Sequence, residues 1–200
     1  MADLQKKYTA RTYAHLKGLK GISDGQLENH FKLYEGYVNR TNKLTETLSE
    51  LTKQNQASGQ NPAYAEMTRR MGFEYNGMVL HEYYFGNLTP SGKDGPGGKV
   101  KAAMEKSFGS YETWLADFRA IAVMPGIGWA ITFQNPANGW LSNHWVTLHE
   151  EGNIAGFMPV LVMDAWEHAF VPDYKPTERA KYVDAYFQNI DWGAVESRIK

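Results

Sequence analysis

Between Gly21 and Asn55 the residues Leu27, His30, Phe31, Tyr34, Tyr37, Val38, Thr41, Leu44, Leu48 and Leu51 recur three and four apart along one stripe, the spacing of an amphipathic helix. Ser23 with Gln26 three residues later is a capping-box signature, which marks where that helix begins. A second pattern starts at Asn61 as N-cap with Pro62 in the first turn, and continues through "PAYAEMTRRMGFEYNGMVLHEYYFGNL" with apolar and aromatic residues again three and four apart. Two long helices with a short connection predict an antiparallel hairpin.

The pattern then breaks. "TPSGKDGPGG", residues 89–98, holds four glycines and two prolines and reads as a loop or boundary. It sets an expected helical hairpin domain over 1–90 against a second domain over 91–200. In the second part "KVKAAMEKSF" and "SYETWLADFRAIAVM" read as helices, the latter capped by Ser110 with Glu112 in its first turn. "GWAITFQ", a turn at "NPANG" and "WLSNHWVTLHE" predict a β-hairpin, and the continuous apolar run "GFMPVLVMD" a buried strand. "KPTERAKYVDAYFQNI" and "WGAVESRIK" close the chain as helices. The expected class is α+β, with helices flanking a small antiparallel sheet.

Composition narrows the chemistry. At 200 residues and 42% hydrophobic the chain can bury a substantial core. A net charge of -1 gives no reason to expect nucleic acid or an anionic membrane as partner. Cysteine is absent, which excludes disulfides and thiolate chemistry and leaves His, Asp, Glu and Tyr for metal or acid–base work. The start "MADLQKKYTARTY" has no apolar run, and the longest weakly charged stretch, Ala120 to Trp145, is broken by Pro125, Gly126, Pro136 and Gly139. The expectation is therefore a soluble cytoplasmic protein with no membrane segment.

Six histidines remain to be explained: His15, His30, His81, His144, His149 and His168. His30 lies on the first apolar stripe, and His81 among Val79, Leu80, Tyr83, Tyr84 and Phe85. A lone histidine on an apolar face is ordinarily a satisfied core residue, but two on facing helices suit a metal, which uses the neutral ring as ligand and offsets its desolvation. "MDAWEHAFVPDY" adds Asp164 and His168 directly after the apolar run "FMPVLVM". Their alternative is an i, i+4 pair on a solvated helix face, against which stand that run and Trp166. Three imidazoles and one carboxylate suit iron, manganese or zinc. A mononuclear non-haem iron oxygenase or hydrolase would use two histidines and a carboxylate; the third histidine and the surrounding aromatics argue against it.

"LENHFKLYEGYVN", "LHEYYFGNLTP", "GWA" and "DAWEHAF", in this order between Ile22 and Trp192, resemble the segments of the iron/manganese superoxide dismutase family. The resemblance implies a helical hairpin followed by an α/β domain with a three-stranded antiparallel sheet. It implies one iron or manganese ion per subunit, held by His30, His81, Asp164 and His168 with a solvent molecule as fifth ligand, and superoxide as substrate. Tyr37 falls on the gateway tyrosine, Trp129 and Trp166 on the aromatic wall, and His149 near the outer-sphere glutamine. Glu167 falls on the glutamate that bonds the ligand histidine across a two-fold axis, implying a homodimer in which it reaches the partner subunit's His168.

Several positions depart from the family pattern. His30 and Tyr37 are seven apart, one fewer than usual; Tyr34 and Val171 replace a histidine and a tyrosine that bond each other across the dimer; Ile131 and Phe85 replace tryptophans. Val162 in place of glycine, with His149 in place of glutamine, favours iron or a site that works with either metal. A metal-binding homologue without turnover is the competing reading, and it turns on His149 and Tyr37. Guidance of an anionic substrate would need a local basic group, for which Lys32, Arg40, Lys175 and Arg179 are candidates.

Overall fold

The computed structural model describes residues 7–93 and 95–200. Residues 1–6, part of the opening segment on which the cytoplasmic expectation drew, and Asp94, inside the predicted 89–98 loop, lie outside the described residues.

Helices α1 (Asp24–Lys53) and α2 (Pro62–Phe85) form the hairpin. Only half of the capping box at the start of α1 exists. Ser23 Oγ accepts from the Gln26 N–H at 3.1 Å, but the Ser23 N–H donates to Asp173 Oδ2 at 2.7 Å instead of to Gln26. Gln26 is thereby free to turn inward, where its buried Nε2 donates to the His168 carbonyl at 2.5 Å. Helix α1 ends in a turn with Asn55 at φ 55, the Gln56 N–H closing on the Leu51 carbonyl at 2.8 Å. Asn61 caps α2 as the sequence predicts, accepting from the Ala63 N–H at 3.1 Å. The apolar stripe buries unevenly: Leu27 to Thr41 face the core, while Leu44, Leu48 and Leu51 are half-buried. The opening turns of α2 are largely exposed too, so the far end of the hairpin packs chiefly on itself.

After α3 (Gly98–Phe108) and α4 (Tyr111–Ala122) come strands β1 (Gly128–Gln134), β2 (Leu141–Thr147) and β3 (Met158–Asp164), then α5 (Arg179–Gln188) and α6 (Trp192–Glu196). The sheet is antiparallel in the order β2-β1-β3. Strand β1 is central and every residue of it is buried, with α2 packed on β3 and α4 on β1 and β2. Strand β3 is an edge, which is why it tolerates Pro159 where its pairing with β1 shifts at Thr132/Phe133. The register sets Trp129 directly opposite Asp164 at one end of the sheet.

Several elements are shorter than their sequence patterns, helix α6 among them, which ends at Glu196. Helix α4 stops before Val123 and Met124, β2 excludes the exposed Trp140, and Pro176 confines the start of the next pattern to a single 3-10 turn before α5. Buried side chains from the hairpin and from the sheet with its helices form one continuous core. Among the described residues no helix is long and apolar enough to cross a membrane.

Candidate metal centre

The four side chains singled out by chemistry come from four elements and meet at one point. His30 comes from α1, His81 from α2, Asp164 from the last position of β3, and His168 from the 3-10 turn Glu167–Ala169 that follows. One donor atom from each lies within 4.8 Å of the others. Asp164 Oδ2 sits 3.1 Å from His30 Nε2, 3.2 Å from His168 Nε2 and 3.6 Å from His81 Nε2. Asp164 Oδ1 accepts from the Trp166 N–H at 2.8 Å, which fixes the carboxylate plane. Asp164 and His168 are thus a strand end and a turn, not a helical pair.

The ring of His81 is oriented from behind. Its Nδ1 lies 2.5 Å from the Gly77 carbonyl, one helical turn back, so Nδ1 carries the hydrogen and Nε2 is a bare acceptor facing the cluster. That Nε2 is fully buried and has no hydrogen-bond partner among the described residues. An orphaned buried acceptor beside two more imidazole nitrogens and a carboxylate is the donor set of a divalent or trivalent first-row metal, and the residues fit one. Burial lowers the His30 pKa against its bond to Asp164, and burial with repulsion from His30 lowers His81 well below the ordinary value, so both rings stand ready in the neutral form. Burial opposes charge on Asp164 but is outweighed by His168 and by the bonds from His168 and His30, which hold its carboxyl below the usual range.

The cluster is braced by buried polar groups. Tyr182 donates to the Asp164 carbonyl at 2.9 Å and lies 3.0 Å from the Tyr84 hydroxyl, while the Tyr84 ring packs on His30 at 5.2 Å. Tyr186 donates to the Val162 carbonyl at 2.9 Å, and Asn87 Nδ2 donates to the same oxygen at 2.5 Å. Asn87 is in turn held by the Arg198 guanidinium. The Gln26 bond to the His168 carbonyl ties α1 to the turn.

His149, Tyr37, Trp129 and Trp166 form a second group against the first. The Trp129 indole N–H can only donate and lies 3.0 Å from His149 Nδ1. This assigns the hydrogen to His149 Nε2, which donates to the Tyr37 hydroxyl oxygen at 2.8 Å. The Tyr37 hydroxyl hydrogen is then directed away from His149. Burial lowers the His149 pKa to about 4 and pushes that of Tyr37 up to about 12, so both are neutral near pH 7. The Tyr37 ring lies 5.2 Å from His81, Trp129 5.0 Å from His81, and Trp166 stacks on His149 at 4.8 Å and on His168 at 5.5 Å.

Two backbone features allow this arrangement. Leu148, directly before His149, has φ 54, a left-handed conformation that a bulky residue adopts only when held there. Its N–H donates to the Ile127 carbonyl at 3.1 Å and its carbonyl accepts from Trp166 Nε1 at 3.2 Å. At Gly77 a Cβ would meet ring carbons of Tyr37 at 2.5 Å, so only glycine admits Tyr37 at this depth. Gly77, Leu148, Tyr182 and Phe73, which packs on His149 at 4.5 Å, are absent from the sequence reading, and Gln26 enters it only as a capping residue. Only Gly77 carried a signal, as an isolated glycine inside a helical pattern one turn before His81.

Other singled-out residues lie elsewhere. His15 is exposed, and His144 lies on β2 bonded to Ser142 at 2.8 Å. Arg179 donates to the Met124 and Gly126 carbonyls at 2.5 and 2.8 Å, which assigns it to loop anchoring. Tyr34 is fully buried and donates to Glu82 at 2.9 Å, so its hydroxyl is satisfied within the chain, while Val171 is exposed. Phe85 packs on His30 at 4.9 Å.

The sequence of the C-terminal domain of iron/manganese superoxide dismutases matches residues 96–198. The superoxide dismutase [Fe] of Aquifex pyrophilus is 37% identical over 191 residues, covering 93% of this chain and 89% of that protein. The chain belongs to the iron/manganese superoxide dismutase family. Members named for either metal resemble it: superoxide dismutase [Mn] 2 of Haloferax volcanii is 34% identical over 85% of this chain and 82% of its own length, and superoxide dismutase [Fe] of Saccharolobus solfataricus 34% identical over 90% and 85%. A helical hairpin, a three-stranded antiparallel sheet and a buried His/Asp cluster between them agree with membership of this family.

Proposed function

We propose that the protein is a superoxide dismutase, converting two superoxide radicals and two protons to dioxygen and hydrogen peroxide. His30, His81, Asp164 and His168 hold one iron or manganese ion in this reading, and the observation that carries it is the buried, unpartnered Nε2 of His81 facing the Asp164 carboxylate. The chemistry such an ion supplies when bound is one-electron redox, which each half of a dismutation requires. The chain supplies the rest. Asp164 contributes the one carboxylate of the set, and His30, His81 and His168 contribute its three imidazole nitrogens. Trp129 sets the His149 tautomer, His149 sets the direction of the Tyr37 O–H, and that hydroxyl is the donor placed to protonate a departing peroxide. Trp129, Trp166, Tyr84 and Phe85 wall the cluster and limit it to small molecules.

Three finer readings go with this. The metal is iron, or either metal, on the grounds that relatives carry both names and that Val162 and His149 occupy positions that shape the surroundings. The protein is a homodimer of two-domain subunits, 1–90 and 91–200, in which Glu167 reaches His168 of the partner subunit. Glu167 is exposed beside the partly exposed His168, and the apolar Val123, Met124, Ile127 and Val171 are exposed as well. Val171 closes the turn that carries His168, and Arg179 ties the 123–127 segment to the Phe170 ring, so these side chains share a neighbourhood. Its compartment is the cytoplasm, supported by a chain without cysteine.

The test is separate reconstitution with iron and with manganese, followed by metal analysis and dismutase assay. The expected result is one ion per chain and activity with iron or with both. A full complement of either metal without activity would leave a binding protein and overturn the proposal.

A further inference from the structure

Glu74 is a carboxylate in an unusual position. Its side chain is 3% exposed, near the middle of α2, and it accepts from two guanidinium groups. Arg40 Nε donates to Oε2 at 2.7 Å; Arg70 Nε and Nη2 donate to Oε1 at 2.9 and 2.8 Å. Burying an ion pair gives little net stability, so stability alone is a poor reason for the arrangement. Its geometry offers another reason. Arg40 lies over the Tyr37 ring at 4.6 Å, and Arg70 over the Phe73 ring at 3.9 Å. Both of those rings pack on His149, at 4.9 and 4.5 Å.

The two arginine side chains are about half exposed, 51% and 50%, while Tyr37 beneath them is 6% exposed. Two positive charges against one negative leave the cluster with one net positive charge. Arg40 Nη1 and Nη2 and Arg70 Nη1 make no hydrogen bond within the described residues and remain available to a ligand. Guanidinium N–H groups in fixed orientation are suited to small oxyanions.

We infer that Arg40 and Arg70 form an outer docking subsite for small monovalent anions, one layer outside Tyr37, and that Glu74 is the positioning residue that fixes them there. The anion is superoxide if the dismutase reading on which this rests is correct, and azide is its stable stand-in. Lys32 and Lys175 carry charge as well, but neither side chain bonds a group that orders it over the site among the described residues. Order is what Glu74 adds: it holds the two charges beside one ring pair instead of leaving them to sample solvent.

The experiment compares the metal-loaded protein with its R40Q/R70Q and R40K/R70K forms, at low and at high ionic strength. Two readouts are taken: the association rate of azide, followed by the metal's absorbance, and kcat/KM for superoxide. At low salt the glutamine pair is expected to slow both by about tenfold, the lower end of steering effects, for which superoxide dismutase is itself a standard example. The gap should close near 1 M salt, where the screening length is about 3 Å. The lysine pair should recover most of the rate, and kcat should be unchanged throughout. Glu74→Gln adds one net positive charge yet should slow azide association; acceleration would overturn the positioning role. Unchanged rates in the glutamine pair, or a loss equal at both salts and not recovered by lysine, would overturn the subsite. Azide behaving as expected in a protein without dismutation would keep the subsite and sink the dismutase reading, while dismutation indifferent to both pairs would do the reverse.

Discussion

Replacing His149 tests the second group more sharply than any other change, provided two substitutions are compared. In His149→Ala the Trp129 indole N–H loses its acceptor at 3.0 Å and the Tyr37 hydroxyl its donor at 2.8 Å, both in a site closed to solvent. A buried polar group left without a partner costs about 1–3 kcal/mol, so two such groups cost about 4 kcal/mol together. For a chain of this length that lowers Tm by roughly 8–16 °C. Turnover should fall by at least about tenfold, because the Tyr37 hydroxyl is no longer oriented and general-acid contributions run to about 100-fold or more. His149→Gln supplies an acceptor for Trp129 and an N–H for Tyr37 on one side chain, and should stay within about 1 kcal/mol of the parent with most of its activity. Thermal unfolding of the metal-free and metal-loaded forms, metal content, and superoxide decay give the comparison. If alanine and glutamine are equally destabilised, or if alanine retains full turnover, the bonding chain from Trp129 to Tyr37 has no role in catalysis.

Other expectations follow from the backbone and the bracing groups. Gly77→Ala should displace the Tyr37 ring and cut turnover at unchanged metal content, despite the roughly 1 kcal/mol that alanine adds to helix propensity; unaltered kinetics would show that the close approach is not needed. Leu148→Val should destabilise by about 1 kcal/mol or more, since a branched side chain tolerates positive φ poorly, whereas Leu148→Asn should be close to neutral in urea unfolding. Tyr182→Phe removes the donor to the Asp164 carbonyl and should cost about 1–3 kcal/mol with weaker metal retention under chelator challenge; an unchanged chelation rate would exclude a bracing role.

The site was legible in the sequence where it depends on residue type and periodicity. His30 and His81 stand out because imidazoles on apolar helix faces need a partner, and Asp164 with His168 because they follow a run of the kind a buried strand shows. Strand β1 and the caps at Asn61 and Ser110 were legible for the same local reason. What the sequence did not disclose depends on geometry between distant segments. Gln26 reads as a capping residue until Asp173, far along the chain, takes the Ser23 N–H and releases it. Leu148 has no composition signal for positive φ, because its conformation is imposed by Ile127 and Trp166. Arg40 was a candidate guiding charge by sequence, but Glu74 and Arg70 look like ordinary helix-surface charges at their own positions, and only the packing of α1 on α2 buries the glutamate and lays the guanidinium groups on two rings. Arg179 shows the converse, a plausible guiding charge by sequence that the fold commits to carbonyl oxygens.

The most direct measurement is the decay of a pulse of superoxide, followed optically, in the presence of the protein loaded with iron and separately with manganese. Decay that is fast, proportional to bound metal, sustained for many turnovers per ion, and abolished in a His81→Ala form that no longer holds the ion is the result expected of a dismutase centred on this cluster. Decay no faster than that of the metal-free protein, with one ion bound per chain at these four residues, would contradict it.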